Sequence, residues 1–261
     1  MPFKTSGSIR YFQFDLLQGK GLTHAVFTRR GGASTGPWAS LNVGGTVGDD
    51  PQHVTENRER SFRALNRPVE SLYDVWQVHS ADVVCTNEPR PLDQPHIKAD
   101  AILTDRPDVT LFMRFGDCVP VLLFDPNKGV VGIAHAGWPG TVRKTVAAAV
   151  REMSAVYGSR PADILAGIGP SIGPDHYEIG PDVIAQVRLA FGEQAERLLP
   201  KENGAVKFDL WAANRYVLEQ AGVTQVETAG ICTACCLDDW FSHRAERGRT
   251  GRFGALIGLE F

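Results

Sequence analysis

Apolar positions recur along this chain with two different periods, and the changes of period mark out helices and strands. Between Thr141 and Tyr157, the residues Val142, Val146, Ala149, Val150, Met153 and Val156 fall at the i, i+4, i+7, i+8 spacing of one helix face. Gly158 ends that run. Pro181 to Phe191 places Val183, Ile184, Val187 and Phe191 on a common face and is followed by Gly192. Asp50-Pro51 opens a helix that runs to about Leu65, with acid and proline where a first turn prefers them. Asp209 caps a stretch to Ala221 that stops at Gly222.

Between these helices the pattern shortens to strand length. The segments Ala25–Thr28, Val75–Val84, Ala101–Leu103, Val109–Met113, Val119–Phe124, Val130–Ala134, Ile164–Gly167, Gln225–Ala229 and Ala255–Leu259 read as strands. Asp125-Pro126-Asn127-Lys128-Gly129 reads as a tight turn joining two of them, and Gly167-Ile168-Gly169-Pro170 as another turn. Many strands precede the first strong helix after residue 66, so strict βαβ alternation is missing. An α+β fold with mixed sheets is expected rather than a doubly wound one. No repeat, low-complexity tract or linker divides the chain, and residues 1–261 read as a single domain.

Composition changes this picture only by exclusion. Hydrophobic residues make up 43% and charged residues 22%, enough to bury a sizeable core. A net charge of −3 argues against a nucleic-acid partner, which needs a basic face. The start MPFKTSGSIRYFQFD has no apolar run behind a basic segment, and no apolar stretch approaches the roughly 18 residues of a membrane helix. Neither a signal segment nor a membrane partner is expected. Five cysteines, odd in number and unevenly spaced, read as reduced thiols of a cytoplasmic protein. Cys232 and Cys235 have the CxxC spacing of a metal or redox pair, but no partner CxxC exists, which excludes a four-cysteine site.

Three residues stand apart as candidate chemistry. His79 ends the strand-like Val75–Val78, Cys118 sits in the Gly116-Asp117-Cys118 break before an apolar strand, and His135 ends the next strand ahead of Ala136-Gly137-Trp138. Groups at strand ends beside glycine are where a rigid scaffold presents function. Two imidazoles and a thiolate suit zinc or copper, and three protein ligands leave the fourth position of a catalytic site open. Read by pattern alone, the same residues also fit two ordinary polar histidines and a small core thiol.

A run of phrases resembles the YfiH family, also called the laccase-domain or multicopper polyphenol oxidase family. They include Phe27-Thr28-Arg29-Arg30-Gly31-Gly32, Ser40-Leu41-Asn42, Gln77-Val78-His79, Ala99-Asp100-Ala101, Asp117-Cys118-Val119-Pro120 and His135-Ala136-Gly137-Trp138. Further on come Gly169-Pro170-Ser171-Ile172-Gly173, Tyr177-Glu178-Ile179-Gly180, Cys232-Thr233, Phe241-Ser242-His243-Arg244 and Thr250-Gly251-Arg252. They span about residues 25 to 261, in family order. The resemblance implies a four-layer α/β/β/α fold and a metal, zinc or alternatively copper, at His79, Cys118 and His135. It also implies phosphorolysis of adenosine, inosine and S-methyl-5′-thioadenosine, with adenosine deamination, so a purine nucleoside and phosphate become the expected partners of a monomer or homodimer. Arg29, Asn42, Gln77 and Arg244 are the candidate substrate-binding residues; Trp138 and Tyr177 are candidates to stack on a purine. The family usually has arginine where Pro139 stands, a second where Ala245 stands, and often cysteine where His176 stands. Competing readings are a metal-free thiol hydrolase with Cys118 as nucleophile and His135 or His79 as base, a copper oxidase, and a non-catalytic binding module.

Overall fold

The computed structural model of the chain describes residues 2–91 and 93–260. In chain order the elements are β1 (Phe3–Ser6), β2 (Ile9–Phe12), β3 (Leu22–Phe27), α1 (Pro51–Ala64), β4 (Leu72–Tyr73), β5 (Val83–Cys85), β6 (Ala101–Thr104) and β7 (Thr110–Phe115). Then come β8 (Val119–Asp125), β9 (Val130–Ala136), α2 (Trp138–Val142), α3 (Thr145–Tyr157), β10 (Leu165–Ile168), α4 (Pro181–Phe191) and α5 (Ala195–Leu198). The last are β11 (Lys201–Glu202), β12 (Ala205–Val206), α6 (Leu210–Gln220), β13 (Gln225–Thr228) and β14 (Phe253–Leu259).

Two six-stranded sheets carry the fold, ordered β1-β2-β3-β14-β7-β4 and β13-β10-β8-β9-β6-β5. Both are mixed: β4 runs parallel to β7, β5 to β6 and β10 to β13, while the other neighbours are antiparallel. The strands are apolar on both faces, because each sheet is covered on both sides. In β8, Leu122 and Phe124 point into the layer between the sheets, while Val119, Val121 and Leu123 point to the helices α3, α4 and α6. In β14, Ala255 and Ile257 face the inter-sheet layer, and Leu256 joins Phe62 of α1 on the other side. The layering is therefore helix, sheet, sheet, helix, a mixed-sheet α+β fold as the family resemblance implies.

The hairpin β8–β9 turns where expected: the Asp125 carboxylate accepts from the amides of Asn127 and Lys128 at 2.8 and 3.2 Å, and Gly129 takes a positive φ of 63°. Three segments differ from the sequence pattern. Val75–Val84 is not one strand: Trp76 makes a single bridge to Lys98, and a regular strand begins only at Val83. Its Val78 and Ser80 amides donate instead to the buried carboxylate of Asp100, at 3.1 and 2.6 Å, so they are withdrawn from any ladder. The helix expected from Thr141 breaks at Lys144, whose φ is 61°, leaving the short α2 to begin earlier, at Trp138. Gly167 lies inside β10, as the strand read from Ile164 has it, and not in the turn read over Gly167 to Pro170; the Phe14 ring packs where a side chain would stand. The N-terminal hairpin β1–β2, closed by an edge-to-face contact of Phe3 and Phe12, extends the first sheet.

Candidate metal centre and its two cavities

The chain passes from one sheet to the other through Gly116, Asp117 and Cys118, between β7 and β8. Asp117 takes a φ of 85° there and is held by its own carboxylate, which accepts from the Thr233 hydroxyl at 2.6 Å and the Arg244 amide at 2.7 Å. That turn delivers Cys118 to the rim of the inter-sheet layer. His135, near the end of β9, has the strand parity of Val131 and Ile133 and so points into the same layer, its ring 5.5 Å from that of Phe115. His79 arrives from the loop before β5 in a left-handed conformation, φ 59°, anchored by the Val78 and Ser80 bonds to Asp100.

The three side chains meet. One ligand atom from each of His79, Cys118 and His135 lies within 4.8 Å of the others. Cys118 Sγ is 3.8 Å from His79 Nε2, and the two imidazole rings are 4.9 Å apart. His135 is 4% exposed and its Nδ1 stands 2.8 Å from Asp100 Oδ1. A carboxylate accepts only, so that bond places the ring proton on Nδ1 and leaves Nε2 for the site. Burial pushes the Cys118 thiol up, but the His135 charge and hydrogen bonds from His135 and His79 outweigh it and bring it down to about 6. Burial likewise lowers His135, while the Cys118 charge and the Asp100 bond overturn this and raise it to about 9. Each group thus favours the other's charged form: the Cys118 thiolate is a soft anionic donor, and His135, its Nδ1 bonded to Asp100, would offer Nε2 to a cation that displaces the proton there. This donor set fits a borderline-soft divalent cation.

Backbone economy seals the arrangement. A Cβ at Gly137 would stand 2.7 Å from Cys118 Sγ and 3.1 Å from the His79 ring, so only glycine fits. From the residue after α2 and the start of α3, Arg143 donates to the His79 carbonyl and Thr145 to the Ser80 carbonyl at 2.7 Å. The break at Lys144 is what lets both reach the His79 loop.

Two cavities meet at the centre. The first, about 450 Å³, is lined by all three residues and by Gln77, Arg58, Arg114, Arg252, His243 and Trp76; none of its described lining residues is acidic. The second, about 410 Å³, touches His79 and Cys118 from the other side and is walled by Trp138, Pro139, Arg143 and Tyr177. Of the four candidate binding residues, only Gln77 lines a cavity at the centre. Its amide is engaged with the backbone and guanidinium of Arg114. Arg29 lies elsewhere, its guanidinium donating to the Ala39 and Leu237 carbonyls and pairing with Glu246 at 3.0 Å. Asn42 is fully buried and supports the wall from behind, accepting from the Gly44 and Arg252 amides. Arg244 stacks over Tyr177 and donates to the Glu178 carbonyl. Sequence reasoning missed Asp100, Arg58, Arg114 and Arg143 as parts of the site. Asp100 and Arg58 had a signal, since Ala99-Asp100-Ala101 and Asn57-Arg58 both match family motifs; Arg114 and Arg143 had none, because only the packing aims them inward.

A mixed nitrogen–sulfur centre at the rim between two sheets, in a four-layer α+β scaffold, defines the class of protein. The chain belongs to the family described as multi-copper polyphenol oxidoreductase laccase, whose model matches residues 23–260. It is 42% identical over 236 residues to a Deinococcus radiodurans protein named purine nucleoside phosphorylase, covering 90% of this chain and 88% of that protein. It is 34% identical over 243 residues to the Escherichia coli protein named purine nucleoside phosphorylase YfiH, covering 93% and 96%. The crystal structure of YlmD from Geobacillus stearothermophilus matches it with a TM-score of 0.92 at 33% identity, over 100% of this chain and 99% of that one. Among the described residues, no helix is long and apolar enough to cross a membrane.

Proposed function

We propose that residues 1–261 form one catalytic domain that cleaves purine nucleosides with phosphate, at a zinc ion held by His79, Cys118 and His135. The observation that carries this reading is one cavity with a metal-type donor set at its floor, three guanidiniums on its walls and no carboxylate among its described lining residues. The names of the relatives point the same way. Zinc bound by these donors would supply a Lewis acid with an open coordination position; copper is the alternative ion. The remaining work falls to the chain's own residues. Asp100 fixes the orientation of both histidines. Arg58 and Arg252, with Arg114 whose charge is shared with the buried Asp74, offer a cationic wall to a phosphate dianion. Trp76, 46% exposed at the cavity, presents a flat face to a base. A volume near 450 Å³ lies within the range of small-molecule pockets.

Inosine, adenosine and S-methyl-5′-thioadenosine are the proposed phosphorolysis substrates, and adenosine also the substrate of a deamination that needs water instead of phosphate. The test is a nucleoside panel with and without phosphate, run on zinc-loaded, copper-loaded and chelator-treated protein. Phosphate-dependent release of free base that vanishes on chelation and returns with zinc is the expected result. Release of base that ignores both phosphate and metal would overturn the reading.

One observation favours a second reading: the Cys118 thiol near 6 beside an imidazolium is also the state of a nucleophilic cysteine. The readings separate by alkylation. A zinc-bound thiolate resists iodoacetamide until chelation, whereas a free nucleophile reacts at once and activity falls with it.

A further inference from the structure

Outside this centre, a second set of metal-ligating side chains converges. Asp175, His176, Cys232 and Cys235 each bring one ligand atom within 4.8 Å of the other three. His176 Nδ1 stands 3.8 Å from Cys232 Sγ, 3.5 Å from Cys235 Sγ and 2.9 Å from Asp175 Oδ2, and Cys235 Sγ is 3.2 Å from that oxygen. A tetrahedral zinc ion with bonds of about 2.0–2.3 Å has ligand–ligand edges of about 3.3–3.8 Å. Of these four edges two already match and two need only open by a few tenths of an ångström, while the remaining two, from Cys232 Sγ to Cys235 Sγ and to the Asp175 carboxylate, lie within 4.8 Å. All four donors are therefore poised around one point.

We propose that Asp175, His176, Cys232 and Cys235 form a second, structural zinc site. The ligand set is borderline-soft and closed, four protein donors with no open position, which is the hallmark of a structural ion. The two ligands missing from the CxxC reading of the sequence, Asp175 and His176, come from the 173–176 loop, which lies beside Cys232 where Ser171 bridges to it. The Gly173 amide donates to Cys232 Sγ at 3.2 Å, the kind of outer bond that stabilises a metal thiolate. Asp175 and His176 are half exposed, so an ion has a path in. Its effect reaches the first centre through two residues. Thr233, next to Cys232, donates to the Asp117 carboxylate that holds the turn before Cys118. Tyr177, next to His176, walls the second cavity. An ion here would clamp the loops on either side of that cavity without touching substrate.

The test is zinc stoichiometry of the full chain, loaded with zinc sulfate, desalted and analysed for metal. Wild type should hold two zinc ions per chain; Cys235→Ser, Asp175→Asn and His176→Ala should each hold one. These positions are exposed, so the variants leave the core intact. Cys118→Ala should also hold one, and when loaded with cobalt(II) it should keep thiolate-to-cobalt charge-transfer absorption. Were Cys235→Ser and His176→Ala to hold as much zinc as wild type, or Cys118→Ala to bind neither metal, the second site would not exist. A Cys232–Cys235 disulfide in freshly purified protein would also overturn it. Failure of the first centre reads differently: Cys118→Ala would then match wild type at one ion, and Cys235→Ser would hold none.

Discussion

Asp100 is fully buried and spends both carboxylate oxygens on the centre, Oδ1 on His135 and Oδ2 on the amides that flank His79. Burial pushes its carboxyl up, but the His135 and backbone hydrogen bonds prevail and hold it below the ordinary aspartate range. One side chain thus sets the tautomer of one histidine and the backbone of the other. Asp100→Asn keeps the size and removes the charge. An amide can also present its NH2 to a donor, so one of these bonds is lost or reversed. The expected outcome is zinc affinity lower by about 10–100-fold at the first centre, read by competition with a chromophoric chelator, with far-UV circular dichroism unchanged. Unaltered affinity would mean that His79 and His135 hold their places without it.

At the scale of elements, close approaches rather than propensities decide several boundaries. Gly167 sits within β10, where an added Cβ would stand 2.6–2.8 Å from three ring carbons of Phe14. Phe14 is fully buried and packed edge-on against Phe12 at 5.0 Å, so the ring has little room to yield. Gly167→Ala should lower stability by about 1–3 kcal/mol through overpacking, seen as an earlier urea midpoint, with zinc content unchanged. A midpoint equal to wild type would show that the ring moves freely. The α2–α3 break follows the same logic: helix periodicity is continuous across Lys144, yet the contacts of Arg143 and Thr145 with the His79 loop require the change of direction.

For the whole molecule, Asp74 ties three distant segments together. Its buried carboxylate meets Arg90 at 2.7 Å, Arg114 at 2.9 Å and His96 at 3.2 Å, joining β4, the 86–98 loop and β7. Burial pushes the carboxyl up, but Arg114, His96 and Arg90 outweigh it and leave it below its ordinary value. A depressed carboxyl contributes stability that is present above the unfolded value of about 3.9 and is lost as pH falls through the lower folded value. Asp74→Asn leaves two largely buried guanidiniums short of a counter-charge and should cost about 3 kcal/mol at neutral pH. The gap from wild type should narrow as pH falls below about 4, where the unfolded carboxyl takes up its proton while the folded one stays ionised down to its lower value. Urea titrations of both proteins at pH 7 and pH 3 check this, and a gap that stays constant would count against it.

Local physics was sufficient for much of this protein. Helix faces with caps, such as Asp50 and Asp209 accepting from the amides of Gln52 and Ala212, and the hairpin turn at Asp125 need only neighbours in sequence. The same holds for the two central strands, whose ends carry Cys118 and His135. The identity of the three converging side chains was also legible, through motifs and donor chemistry. Their distances were not, since they depend on a crossing between sheets that no local pattern encodes. Only the tertiary structure turned Val75–Val84 from a strand into a loop, because its amides are claimed by an aspartate 20 and 22 residues away. Of the arginines that the motifs pointed to, it kept Arg252 at the cavity, left Arg29 and Arg244 off its wall, and added Arg58 and Arg114. A guanidinium's role is set by what stands opposite it: both Arg29 and Arg252 donate to carbonyls, but Arg29 is also neutralised by Glu246, while Arg252 lines the cavity beside Cys118.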